Sequence, residues 1–151
     1  MAFALSLHVL SAVIWVGGMF FAYMCLRPVA AQQLPPEMRL PLWLATFNRF
    51  FLWVWLSAIT LLLTGHALIA LYGGFKAIGM HVHIMMGLGY LMFALFGHLY
   101  FAPFRRMKRL VGVSDWAGAA QQLNKIRMIV AINLGLGLTL VLIASGGRLW
   151  H

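Results

Sequence analysis

Four long apolar runs, at residues 2–26, 42–72, 80–101 and 126–144, limit what this chain can fold into more than any other feature. A helix rising about 1.5 Å per residue needs roughly 20 apolar residues to cross the hydrocarbon core of a bilayer. In lipid, every backbone N–H and C=O must be satisfied within the structure, so runs of this length are read as spanning helices. Only 9% of residues are charged and 64% are hydrophobic, whereas about a quarter of a soluble domain is charged. The expected fold is an all-α membrane protein, one bundle of four transmembrane helices over residues 1–151. The first run has no basic start and ends at Arg27-Pro28 rather than at a small-residue cleavage site. It is therefore expected to stay in the protein as a span.

Punctuation divides the runs. Pro28, Pro35, Pro36 and Pro41 predict an interrupted loop over 27–41, and Pro103 predicts the end of the third helix. A second loop over 102–125 follows, with an interfacial helix around 117–124. Gly73-Gly74 closes the second helix, and the short turn to Gly79 makes helices two and three antiparallel neighbours. Gly146-Gly147 ends the fourth helix before a tail of Arg148, Leu149, Trp150 and His151. Arg27, Arg39, Arg49, Arg105, Arg106, Lys108, Arg109, Lys125 and Arg127 fall on one side of the bundle, and only Lys76 and Arg148 on the other. That bias predicts cytoplasmic loops at 27–41 and 102–125, with both termini outside, in the periplasm of a bacterial inner membrane. The net charge of +9 sits beside apolar segments. It reads as a topology signal and contact with anionic lipid, not as a nucleic-acid footprint. Arg49 and Arg127 reach toward lipid phosphates or hold an anionic group in the bundle. The single cysteine, Cys25, excludes an internal disulfide and a CxxC motif.

Imidazoles gather at the end away from this charge. His8 and His66 are each six residues from that end of their helices, and His81 and His83 lie in the first turn of the third. Three helices thus offer imidazoles within roughly 10 Å of one surface. Ionisable groups inside a membrane are costly and tend to be functional. His81 and His83 are about 200° apart on their helix, so one helix cannot turn both to a single ion. His83 shares a stripe with Met80, Met86, Gly87 and Tyr90, and His81 shares one with Met85. On the first helix, His8, Ser11, Ala12, Trp15 and Met19 form one stripe beside small Gly17 and Gly18. Asn133 is expected to face the bundle interior, with Gly137 on its face and Gly135 adding a notch. His98 lies near the basic end, roughly 22 Å from His83 along the axis, outside this group. Methionine is also a common apolar filler, and tryptophan a common interfacial one. Trp15 and Trp55 lie deep enough to line a pocket.

Taken together, these residues resemble the CopD family of membrane proteins, and more distantly the HemJ-type protoporphyrinogen oxidases. The segments that carry the likeness are LHVLSAVIWVGG (7–18), Arg27-Pro28, NRFFLWVWLSAITLLLTG (48–65), MHVHIMMGLG (80–89), HLYFAPFRR (98–106) and IRMIVAINLGLG (126–137). The CopD likeness implies copper resistance or uptake. The HemJ likeness implies haem b and a quinone-linked oxidation, with His8 as the expected haem ligand and His83 where that pattern has a lysine. The Asn-Glu-x-Pro signature of that pattern is reduced here to Asn133.

Two functions follow as expectations. In the first, the chain is a haem b redox protein of the inner membrane. His8 and His83, or His66 in place of one, would ligate iron; Ser11 is a candidate to hold a ligand imidazole, with Trp15 and Asn133 nearby. Electrons would pass to quinone or a redox partner protein, and the reaction would be of the protoporphyrinogen oxidase type. In the second, His8, His66, His81 and His83 bind copper, joined by Met80, Met85 and Met86, whose thioethers suit Cu(I). Exposed glycine notches also leave room for a homodimer that would bring two His98 side chains together.

Overall fold

The computed structural model describes residues 1–146, and these are all-helical; the expected tail from Arg148 to His151 lies outside the described residues. Four helices are long and apolar enough to cross a membrane: α1 (Ala2–Gln33), α2 (Pro36–Leu71), α3 (Met80–Gly112) and α4 (Trp116–Gly146). The chain is a multi-pass membrane protein. α1 packs chiefly on α2 and α3 chiefly on α4, with α4 also touching α1 and α2. The basic residues gather at one end of the bundle, called here the basic end. The opposite end is called the histidine end.

The helices outrun the boundaries expected for them. Pro28 and Pro103 do not stop α1 and α3. Both helices widen into a π-helical segment, Phe21–Leu26 and Tyr100–Phe104, and continue as α-helix to Gln33 and Gly112. A proline inside an α-helix lacks the N–H for the i−4 carbonyl and its ring collides with that carbonyl. A wider i→i+5 turn absorbs both faults. The expected loop over 27–41 shrinks to Leu34-Pro35. Leu34 is extended (φ −123°, ψ 131°), as a residue before proline prefers, and Pro36 opens α2.

The expected loop over 102–125 shrinks to Val113–Asp115, and the expected interfacial helix is the first two turns of α4. The hinge is local chemistry. Asp115 N–H donates to the Leu110 carbonyl and Ser114 N–H to that of Val111, with Ser114 at φ 58°. This is a Schellman ending. The Asp115 carboxylate then accepts from Gly118 N–H at 2.9 Å and caps α4. At the histidine end, α2 closes as expected on Gly73 (φ 97°), whose N–H donates to the Ala70 carbonyl.

The core is aromatic and lies toward the basic end. Trp43, Phe47 and Phe51 descend one face of α2, with Phe47 and Phe51 stacked at 4.9 Å. Phe51 meets Phe104 of α3 edge-on at 4.8 Å, and Trp55 meets Phe96 at 5.1 Å. Trp15 of α1 packs on Phe93 at 5.3 Å and Phe96 at 6.0 Å, so it fills core rather than walling an open pocket. The notch at Gly18 is filled by the Phe50 ring, and the notch at Gly137 by Val16 and Met92.

Candidate functional site

The inward stripe of α1 follows the expected register: Ser11, Trp15 and Met19 are all buried. One turn before Ser11, the half-buried His8 ring lies over Gly65 of α2, where an added Cβ would sit 3.4 Å from its Cε1. His8 Nδ1 is 2.8 Å from Thr64 Oγ1. The Thr64 hydroxyl donates to the Thr60 carbonyl at 2.6 Å. Its oxygen is therefore the acceptor and His8 Nδ1 carries the proton. His8 Nε2 keeps its lone pair and has no hydrogen-bond partner among the described residues. Thr64, not Ser11, holds this ring. The sequence offered only a one-turn-back pattern of hydroxyl to carbonyl at Thr60-Thr64, which looks like ordinary helix chemistry.

His66 is held differently. Its Nδ1 lies 2.8 Å from the Leu62 carbonyl, which can only accept, so Nδ1 carries the proton. Its Nε2 accepts from the Tyr90 hydroxyl of α3 at 2.8 Å. Both ring nitrogens are engaged. Thr64 and His66 stand about 200° apart on α2. His8 thus meets one face of that helix and Tyr90 another, and the structure does not bring His8 and His66 to one point.

On α3, His83 Nδ1 makes a long contact, 3.3 Å, to the Gly79 carbonyl, and its Nε2 has no partner among the described residues. The His81 ring curls onto Gly79, where an added Cβ would be 2.8 Å from it. Met80 is exposed, and Met85 and Met86 are half-buried. No group of three or more His, Cys, Asp or Glu side chains is close enough to hold a metal ion among the described residues. His98 and Cys25 are exposed, away from the bundle interior.

Asn133 is inside as expected, 2% exposed, and its Nδ2 donates to the Met92 carbonyl at 3.2 Å. It ties α4 to α3, and its Oδ1 is buried without a partner among the described residues. The interior also encloses three thioethers, Met19 of the expected inward stripe and, passed over in the sequence, Met92 and Met107. Their spacing is that of ordinary apolar filler, so no local signal separates them from Leu.

α1 and α3 share a feature invisible without their continuous helices. His8 and His83 each stand twenty residues before the proline, Pro28 or Pro103, near which the helix turns π. Both helices run from the histidine end to the basic end. The Trp15–Phe93 contact sets their relative depth. His8 is then about 10 Å above that contact and His83 about 15 Å.

The sequence model of the family described as Copper resistance protein D (CopD) matches residues 44–146. The matched segment takes in His66, His81, His83 and Asn133 and begins after α1. No curated protein and no solved structure shows a significant match to the chain.

Proposed function

The chain belongs to the CopD family of copper resistance membrane proteins, and from that premise we propose that it receives Cu(I) at the histidine end of its bundle. One observation carries this reading: the His8 imidazole, with Nδ1–H anchored on Thr64 and Nε2 unpartnered. A metal-binding histidine is normally held in this way by a second group. His83, with Nδ1 on the Gly79 carbonyl, is the second donor. Met80, Met85 and Met86 are the thioethers beside it, and soft donors select Cu(I). Cu(I) is content with few ligands, whereas Zn(II) or Cu(II) would want the three-group His, Cys, Asp or Glu cluster that is not found among the described residues. His66 is reserved by Leu62 and Tyr90 and stays out of the site unless Tyr90 turns away. Copper here is cargo. Met19, Met92 and Met107 are the donors an inward route through the bundle would use, and aromatic packing encloses them.

Haem b between His8 and His83 keeps one supporting observation, that a Cβ at Gly17, Gly87 or Gly89 would meet open space. The family match supports the copper side of the resemblance and adds nothing to the haem side.

The test is Cu(I) titration of the detergent-purified protein against a chromophoric chelator, with a visible spectrum beside it. Colourless protein that binds Cu(I) stoichiometrically, and loses most of that affinity in His8→Ala, is expected. A Soret band that His8→Ala abolishes would overturn copper in favour of haem.

A further inference from the structure

The basic end holds a second candidate site, unrelated to the imidazoles. A cavity of about 230 Å³ opens between α1, α2 and α4, and three arginines from these three helices line it: Arg27, Arg39 and Arg127. Its other walls include Tyr23, Trp43 and Val130. We propose that this cavity binds a phosphate group, held by the guanidinium groups of Arg27, Arg39 and Arg127.

Three observations converge. The first is charge that the chain cannot balance. It has two acidic side chains in all. Asp115 is engaged in capping α4, and Glu37 is exposed in the first turn of α2. One remaining acidic side chain cannot neutralise three arginines lining one cavity.

The second is Arg27 itself. Its guanidinium carbon sits 4.5 Å from the centroid of the Tyr23 ring, a cation–π contact. Its Nε is buried and has no hydrogen-bond partner among the described residues. Buried donors are nearly always satisfied, so an orphan beside a cavity marks a missing acceptor. The third is shape. Guanidinium forks match the tetrahedral oxygens of phosphate in pairs of N–H···O bonds. Apolar Trp43 and Val130 alongside would accept the first carbons of an acyl tail.

The phosphate could belong to an anionic lipid headgroup or to a small soluble anion, and the experiment separates them. The full-length protein is purified in a neutral detergent. Its melting temperature is followed with added phosphatidylglycerol, phosphatidylcholine or inorganic phosphate. Arg27→Gln, Arg127→Gln and Arg106→Gln are compared with the parent. Arg106 is exposed at the same end but outside the cavity, so it controls for diffuse attraction. Arg127 is exposed on α4, so its replacement leaves the fold intact should Arg27→Gln fail to fold.

Stabilisation by phosphatidylglycerol and not by phosphatidylcholine, halved or more in Arg127→Gln and Arg27→Gln but kept in Arg106→Gln, assigns the site to a lipid phosphate. The same pattern with inorganic phosphate alone assigns it to a small anion. Equal loss in all three variants, or no phosphate-dependent shift in the parent, overturns the proposal.

Discussion

The two ends of this bundle are built by different rules. Toward the basic end, rings interlock: Trp43, Phe47, Phe51, Phe96 and Phe104 are all buried, and contacts near 5 Å link α2 to α3. Toward the histidine end, the links between helices include hydrogen bonds, His8 to Thr64 and His66 to Tyr90. In lipid, helices do not associate through the hydrophobic effect, because lipid tails are as apolar as leucine. Close packing and polar contacts are what remain. The basic half uses the first. The histidine half relies more on the second, and there the His8 ring is anchored on Thr64 through one nitrogen while the other has no partner among the described residues.

The comparison can be broken most directly at Phe51. Phe51→Ala removes a ring in contact with Phe47, Phe96 and Phe104 and should cost about 3–5 kcal/mol of stability. Copper stoichiometry in the folded fraction should be unchanged. Denaturant unfolding beside Cu(I) titration checks this, and a copper defect matching the stability loss would merge the two halves into one unit.

A smaller effect is expected at Thr64. Thr64→Val keeps the shape but removes the acceptor for His8 Nδ1–H, and should weaken Cu(I) binding about 10–100-fold, with Thr64→Ser restoring it. Equal affinity in Thr64→Val would show that the ring is positioned by Gly65 packing alone.

The smallest effect belongs to Tyr90. Tyr90→Phe deletes the hydroxyl on His66 and should lower stability by about 0.6 kcal/mol, the size of an ordinary hydrogen bond between membrane helices. It also frees His66 Nε2. A gain in bound copper in this variant would sharpen the contrast by showing that Tyr90 keeps His66 out of the site.

Reading helix ends from Pro28 and Pro103 failed for one reason, while Pro41 simply lies within the early turns of α2. At Pro28 and Pro103 the expectation was a stop, yet the lost hydrogen bond was absorbed by a π-turn. A helix hairpin in lipid gains from extending to the headgroups, and a single wide turn is a small penalty against that. The same error hid the cavity at the basic end. With 27–41 and 117–124 read as loop and interfacial helix, Arg27, Arg39 and Arg127 had no common geometry. Arg127 was legible as an anion holder, but its companions were not. Asp115 was legible only as one of two acids. Its role as the cap of α4 needed the preceding turn at Ser114.

Composition and run length by themselves determined that the chain is a four-helix membrane protein, because a bilayer accepts apolar backbone in hardly any other form. They also determined that imidazoles crowd one end and guanidiniums the other, since depth follows from counting residues along a helix. Tertiary structure alone decided which imidazoles keep a free nitrogen. That depends on the partner each ring finds across a helix interface, Thr64 for His8 and Tyr90 for His66, and the rotation of one helix against its neighbour is set by packing rather than by position in the chain.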